Sequence, residues 1–255
     1  MILIKYGGHA LPKDGSVDPS LSVIAAEFKR GEKIVLVHGG GPQINQELTL
    51  HKIEPKMVNG LRVTSPEVLS VVQKVLSGEI LRSIVNQLIS LGVRVVGLSS
   101  GDGGIVRARP QTGDLGLVGD IENVDPTFLQ ILLKEGYLPV ISPIGVSNSG
   151  AALNLNADLV AGEIGGALAV DRVLFMTDVS GIYSDFPDEK TLIKNISVRD
   201  LRKSASLFQD GMAPKVAAVI QAIEKGAKSA IVFDGRSAQN LEQAIHGQIG
   251  TTVSI

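Results

Sequence analysis

Short apolar segments alternate with longer stretches of helical periodicity along most of this 255-residue chain. The repeated succession of strand and helix is typical of βαβ units and an open parallel sheet. The pattern predicts strands at Ile2–Tyr6, Ile34–His38, Val93–Ser99, Leu138–Ser142, Arg172–Thr177 and Ala230–Asp234. It predicts helices at Leu21–Arg30, Pro42–His51, Ser65–Leu91, Pro126–Glu135, Asn156–Leu168 and Lys215–Lys225. The stretch Ile105–Ile121 alternates apolar pairs with glycine and charge, which favours a β-hairpin.

The composition agrees with a parallel sheet covered by helices. Hydrophobic residues make up 44% of the chain but aromatic residues only 4%, so the core must consist of Val, Ile, Leu and Ala. We therefore predict an α/β fold with an open, mainly parallel central sheet sandwiched by helices, in two lobes. The glycine pair at residues 165–166 suggests the lobe boundary, which gives lobes of residues 1–165 and 166–255.

Charge and cysteine content narrow the range of partners. The net charge is −2, so there is no basic field that would hold nucleic acid or an anionic membrane. The chain has no cysteine, which excludes disulfides and thiolate chemistry. No apolar segment approaches the roughly 20 residues that span a bilayer, and no signal-type segment opens the chain. We expect a cytoplasmic protein without nucleic-acid or membrane partners.

The first two predicted strands run directly into glycines, at Gly7-Gly8 and Gly39–Gly41. Without a Cβ atom, the backbone N–H groups of such turns can approach an anion closely, above all where a helix begins. Lys5 lies near the end of the first apolar strand, where burial would be costly without an anionic partner. Neither junction fits the P-loop or the dinucleotide-binding pattern. They predict a phosphate site, with plain tight turns as the alternative.

Three further segments carry candidate ligand groups. Arg62 lies in a turn opened by glycine and could bind a carboxylate with its planar fork, or remain a solvated surface residue. Asn156 could cap a helix or contact a ligand. Asp158 either complements the dipole of that helix or organises nearby cations. Lys215 lies in a first helical turn, where its charge opposes the dipole unless an anion is present.

The four histidines do not show the spacing of a metal site. We predict that His9 and His38 are positional or polar-network residues, because no second histidine or acid stands at ligand spacing from them. His51 and His246 have the sequence context of surface residues.

Six segments, taken in order, resemble motifs of the amino acid kinase family. They run over residues 5–8, 37–42, 59–64, 154–158, 177–181 and 211–216, and the resemblance extends from Ile2 to about Arg236. It implies that Lys5 and Lys215 flank a transferring phosphoryl group and that Asp158 holds both lysines in place. It further implies that glycine turns cradle phosphates, that Gly40 and Gly41 also line the acyl substrate, and that Arg62 and Asn154 bind its α-carboxylate.

The nucleotide pocket implied by the resemblance consists of Gly7, Gly8, Gly39, Asp178, Gly181 and Met212. The implied reaction is ATP-dependent phosphorylation of the γ-carboxylate of N-acetyl-L-glutamate, with Mg²⁺ carried mainly by the ATP phosphates and no metal site of protein ligands. Arginine-inhibited relatives carry an extra N-terminal helix, and this chain begins at its first strand. We therefore expect a homodimer without that feedback.

Two other functions stay open at this stage. Leu81 stands where the family usually has asparagine, and residues 183–189 resemble a branch that phosphorylates aminoadipate or glutamate held on a carrier protein. A non-catalytic nucleotide or amino-acid sensor could use the same fold, since a fold alone does not fix function. Retention of both lysines and Asp158 argues against the sensor.

Overall fold

The computed structural model describes residues 1–7, 17–58, 60–208 and 212–255. Strands lie at β1 Ile2–Tyr6, β2 Ile34–His38, β3 Met57–Val58, β4 Leu61–Arg62, β5 Val95–Ser99, β6 Val106–Pro110, β7 Gly119–Val124, β8 Leu138–Ser142, β9 Ile144–Val146, β10 Ala152–Asn154, β11 Arg172–Thr177, β12 Asn195–Ser197, β13 Ser229–Asp234 and β14 Thr251–Ser254. Helices lie at α1 Pro19–Lys29, α2 Gly41–Leu50, α3 Pro66–Gln73, α4 Leu81–Ser90, α5 Thr127–Lys134, α6 Ala157–Ala167, α7 Val198–Ser204, α8 Met212–Glu224 and α9 Ala238–Ile245.

Eight strands form the central sheet in the order β12-β14-β13-β11-β1-β2-β8-β5. Neighbouring strands are parallel except for the antiparallel pair β13 and β14. The chain proceeds from β1 to β2 in one direction, whereas β11 and β13 extend the sheet in the other. The boundary between β1 and β11 is therefore a topological switch point, where open sheets of this kind bind ligands beyond the carboxyl ends of their strands.

The two faces of the sheet bury separate apolar cores. Ile2, Ile4 and Tyr6 of β1 point into the core covered by α1, α2, α3, α4 and α9. Leu3 points to the opposite face, which α5, α6, α7 and α8 cover. Because successive side chains of a strand alternate between faces, Lys5 points towards the second core, at the edge where α6 and α8 begin.

Apart from the helix over residues 65–91, the predicted strands and helices are confirmed, with small shifts at their ends. Val93 is outside β5 because its N–H donates to the carbonyl of Leu88 and closes the end of α4. Helix α8 begins three residues earlier than predicted, at Met212; Pro214 fits there, since the N–H groups of a first turn have no helical partner. The predicted hairpin is the antiparallel pair β6 and β7.

The single helix predicted over residues 65–91 is interrupted by a π-helical segment, Lys74–Ile80. Side chains of this segment, Leu76 and Ile80, lie so close to Gly40 that a Cβ atom there would be 2.8 Å from Leu76 Cδ2. The sequence gives no sign of the wider turn. A helix of 3.6 residues per turn and a π-helix of about 4.4 cannot be distinguished by the pattern of apolar residues when the segment covers little more than one turn.

The proposed lobe boundary stays a prediction. Gly165 and Gly166 lie inside α6, and the central sheet continues across β1 and β11 without a break. No helix in the described part of the chain is both long and apolar enough to cross a membrane.

Helices α6 and α8 approach each other closely at Gly162. A methyl group there would collide with the backbone carbonyl oxygen of Ala218 in α8, which has no freedom to rotate away. Gly162→Ala should therefore lower the free energy of unfolding by about 1–3 kcal/mol. Chemical denaturation measures the change.

Gly78→Ala is the matched control, because it lies in a helical segment with open space at its Cβ position. This variant should keep or slightly raise stability. An equal loss of unfolding free energy in both variants would show that the close packing of α6 against α8 at Gly162 is not the cause of that loss.

Candidate active site

A cleft with a volume of about 1320 Å³ lies beyond the carboxyl ends of β1, β2 and β11. It thus occupies the switch point of the central sheet. Most residues singled out in the sequence line it: Lys5, Gly7, Gly39, Gly40, Gly41, Arg62, Asn154, Asp158, Asp178, Met212 and Lys215. Gly8, His9, Asn59 and Gly211 lie outside the described residues.

Asp158 joins two lysines from distant parts of the chain at the centre of this cleft. Lys5 Nζ lies 2.9 Å from Asp158 Oδ1, and Lys215 Nζ lies 3.3 Å from Asp158 Oδ2. The exposed fractions of the three side chains are 12% for Lys5, 8% for Asp158 and 20% for Lys215. Burial alone would raise the pKa of Asp158, but the charges of both lysines outweigh it and hold that pKa below its usual value.

The start of α6 fixes the position of Asp158. Asn156 caps the helix, since its side-chain oxygen accepts hydrogen bonds from the N–H groups of Asp158 at 2.8 Å and Leu159 at 3.2 Å. This geometry favours the capping role of Asn156 among the two alternatives. Asp158 itself organises cations and also faces the positive end of the helix dipole.

One end of the cleft carries the groups expected to bind a carboxylate. Asn154 donates a hydrogen bond to the hydroxyl of Thr64 at 3.0 Å, and that hydroxyl donates to the carbonyl of Arg62 at 2.7 Å. Arg62 Nη2 lies 3.5 Å from the carbonyl oxygen of Gly41. Burial lowers the pKa of the Arg62 guanidinium from its usual value, and Nη1 is buried without a partner among the described residues. A buried cation of this kind favours an anionic ligand.

The glycine turn after β2 lies between the two ends of the cleft. A Cβ atom on Gly41 would meet open space, whereas one on Gly39 would be 3.9 Å from the side chain of Ala157. Helix α2 begins at Gly41, which lines the cleft, so the positive end of the helix dipole lies at the cleft. This arrangement is suited to an anion near Lys5.

The opposite end of the cleft is more apolar. Met176, Tyr183, Phe186, Leu207, Phe208 and Met212 line it together with Asp178. Gly181 is outside the lining residues: a Cβ atom there would be 2.5 Å from the Thr251 hydroxyl, so packing accounts for this glycine. An apolar, aromatic end of this kind can accommodate a nucleobase.

Several lining residues have no role in the sequence motifs. Arg236 stands at the end of the family resemblance, although Asp234-Gly235-Arg236 repeats the pattern of a strand that ends in glycine beside a charge. Tyr183 and Phe186 form an edge-to-face aromatic pair with ring centroids 5.5 Å apart. Local spacing within their segment gives no sign of this pair.

Among the described residues, no three His, Cys, Asp or Glu side chains form a group that could hold a metal ion. Asp158 is committed to the two lysines, so a divalent cation here would need oxygen ligands from a bound substrate.

Comparison with known proteins agrees with the geometry of the cleft. The model of the amino acid kinase family matches residues 1–234. The chain belongs to the amino acid kinase family. Acetylglutamate kinase of Synechococcus sp. (strain RCC307) is 41% identical over 257 residues, which cover 99% of this chain and 87% of the relative. Acetylglutamate kinase of Methanothermobacter thermautotrophicus is 40% identical, with 99% of this chain and 92% of the relative covered.

Solved structures show the same fold for this member of the amino acid kinase family. The crystal structure of smu.665 from Streptococcus mutans UA159 is 28% identical and superposes with a TM-score of 0.82 over 99% of this chain and 98% of that one. A carbamate kinase from Giardia, 17% identical, gives a TM-score of 0.71 over 100% of this chain and 98% of that one. This second similarity concerns the fold alone.

His38 lies completely buried directly before the glycine turn, as a positional residue should. Its Nδ1 is 3.1 Å from the carbonyl oxygen of Gly39, while Nε2 is buried and lacks a partner within the described residues. Burial lowers the pKa of His38 to about 4, despite the opposing effect of that backbone hydrogen bond. The unfolded chain, with a histidine pKa near 6.5, therefore binds a proton between about pH 6.5 and 4 that the folded state does not.

Stability should consequently fall as the pH drops through this window. Between pH 7 and 5 the loss due to His38 is about 2 kcal/mol in the free energy of unfolding. His38→Asn keeps a nitrogen donor near Gly39 but does not titrate, so its unfolding free energy should depend less on pH by that amount. Urea denaturation at both pH values tests this.

His51→Asn is the control for the substitution itself, because His51 is exposed at the end of α2, where its Nε2 lies 3.1 Å from Glu47. It should leave the free energy of unfolding at pH 7 close to that of the wild type. If the unfolding free energy of His38→Asn depends on pH as strongly as that of the wild type, His38 is not the group that titrates.

Proposed function

We propose that this protein transfers the γ-phosphoryl group of ATP to the γ-carboxylate of N-acetyl-L-glutamate, forming N-acetyl-L-glutamyl 5-phosphate for arginine biosynthesis. The observation that carries the proposal is the ion triad Lys5–Asp158–Lys215 at the centre of a cleft with two chemically different ends. Arg62 and Asn154 would bind the α-carboxylate of the acid. The apolar end beside Asp178 and Met212 would bind the nucleotide.

The triad suits a reaction between two anions. A γ-carboxylate with a pKa near 4.3 is already ionised at neutral pH, so no general base is needed. The obstacle is its repulsion by the triphosphate. Lys5 and Lys215 would place positive charge on either side of the transferring group, and the N–H groups of the glycine turns would add fixed dipoles.

Asp158 would act as a positioning residue, because its carboxylate holds both ammonium groups at fixed points before the substrates arrive. Mg²⁺ would enter with the ATP phosphates and supply further charge neutralisation there.

The acceptor is chosen on the strength of the relatives. Proteins named acetylglutamate kinase, from bacteria and archaea, are 37–41% identical over 92–99% of this chain. ATP and amino-acid precursors are cytoplasmic metabolites, so we expect a cytoplasmic enzyme. We also propose a homodimer, on the resemblance to the family alone; light scattering would give its mass.

Trapping of the acyl phosphate with hydroxylamine, in the presence of ATP and Mg²⁺, tests the proposed reaction. We expect hydroxamate from N-acetyl-L-glutamate and none from free glutamate, aspartate or aminoadipate, because only the acetylated acid presents two carboxylates without an ammonium group. Absence of hydroxamate with all four acids, N-acetyl-L-glutamate included, would contradict the proposal and favour an acid held on a carrier protein or a non-catalytic sensor.

Lys5→Ala and Lys215→Ala should each lower kcat by at least about a hundredfold while changing the KM for ATP much less. The physical reason is that each ammonium group stabilises charge that develops in transfer more than charge in the bound substrate. Steady-state kinetics with both substrates varied gives the two constants separately.

Arg62→Ala provides the contrast. It should raise the KM for the acid, since the guanidinium would contact the α-carboxylate, which does not react.

Unchanged kcat in either lysine variant would remove that lysine from the mechanism. A rise of KM for ATP alone in Arg62→Ala would place Arg62 in the other half of the cleft.

A further inference from the structure

Arg236 lies in the cleft at the end assigned to the nucleotide. It follows β13, which is separated from β1 by β11, and the N–H of Gly235 donates to the carbonyl of Thr177 at the end of β11. Asp178 comes next in the chain and lines the same part of the cleft. Arg236 is thus on the opposite side of the central triad from β2 and its glycine turn.

The turn that carries Arg236 packs tightly against the cleft wall. A Cβ atom on Gly235 would be 2.5 Å from Met176 Cβ, and Met176 itself lines the cleft. Only glycine permits this approach without a shift of the backbone. The close contact brings the next side chain, Arg236, to the cleft instead of the outer surface.

Asp234 holds the guanidinium of Arg236 in one orientation. Arg236 Nε is 2.9 Å from Asp234 Oδ1, and Nη2 is 2.6 Å from Asp234 Oδ2. The backbone N–H of Arg236 donates to the same Oδ1 at 3.0 Å. Although the Arg236 side chain is 66% exposed, this two-point contact limits its rotation, and Nη1 takes no part in it.

The charges along the cleft give Arg236 a distinct place. The cationic side chains among the described lining residues are Lys5, Arg62, Lys215 and Arg236, and the anionic ones are Asp158, Asp178 and Asp185. Asp158 is paired with the two central lysines, and Arg62 lies in the carboxylate end. At the nucleotide end, Arg236 lines the cleft together with Asp178 and Asp185, and its pairing with Asp234 leaves Nη1 to offer N–H donors to a polyanion.

We propose that Arg236 binds the phosphate groups of the nucleotide through its guanidinium and so contributes to affinity for nucleoside di- and triphosphates. The inference rests on the proposed function, because it takes the nucleotide to lie in this end of the cleft. A guanidinium oriented by one carboxylate retains N–H donors in the same plane for phosphate oxygens.

Calorimetric titration of the full-length protein with ATP and ADP, in the presence of Mg²⁺ and without acceptor, tests the proposal. Arg236→Ala should weaken the binding of both nucleotides roughly tenfold to a hundredfold, which corresponds to loss of hydrogen bonds to a charged group. Arg236→Lys should lose less, because it keeps the charge without the fork. In turnover, the KM for ATP should rise in Arg236→Ala while the KM for the acid stays unchanged.

Arg202→Ala is the matched control, since Arg202 is 61% exposed and also pairs with a carboxylate, that of Glu224. It should bind both nucleotides as the wild type does. Unchanged affinity in Arg236→Ala, or the same loss in Arg202→Ala, would overturn the proposal. An equal loss for adenosine would also overturn it, because the contact would then be to the nucleoside.

Failure of this inference can be distinguished from failure of the proposed function, because nucleotide binding is measured without an acceptor. Phosphate-dependent binding through Arg236 in a protein that does not phosphorylate N-acetyl-L-glutamate would support this inference and contradict the choice of acceptor. If the wild type phosphorylates N-acetyl-L-glutamate and Arg236→Ala binds ATP as tightly as the wild type, the choice of acceptor is supported and this inference is contradicted.

Discussion

The ion triad of Lys5, Asp158 and Lys215 determines how the rest of the cleft is arranged. Asp158 is almost fully buried, and a buried carboxylate is stable as an anion only with close positive partners. Its two partners come from β1 and α8, so the requirement ties a strand and two helices together at one point. The close approach of α6 and α8 at Gly162 places the two helix starts side by side. Packing and charge thus favour the same arrangement.

The topology of the sheet explains why one cleft serves two different ligands. At the switch point, loops from strands on either side diverge and leave a depression that neither half fills. The carboxylate end comes from β4 and β10. The apolar end comes from the end of β11 and the segment after it, together with residues between α7 and the start of α8, and the turn after β13 adds Arg236. The triad lies where these two sets of loops meet, which is the position that transfer between two bound anions requires.

Glycines at strand ends have more than one physical cause in this protein. Gly41 faces open space in the cleft, as a residue that contacts a ligand should, whereas Gly40 also relieves a collision with the π-helical segment. Gly181 and Gly235 are required by close packing against Thr251 and Met176, respectively. A strand that runs into glycine therefore indicates a position at the edge of the sheet where two segments of the chain pack closely. Only some of these positions face a ligand.

The sequence alone determined the alternation of strands and helices and the parallel sheet, because these depend on local periodicity and on apolar segments. Six motifs in order also indicated the family. Lys5 stood out as a charge in an apolar strand, Asp158 as a carboxylate heading an apolar helix, and Lys215 as a cation opposing the dipole of a first helical turn. Only the tertiary structure decided that Asp158 contacts both lysines, that Asn156 serves as a cap and that Arg236 joins the cleft. These facts depend on distances between segments up to about two hundred residues apart, which local spacing does not encode.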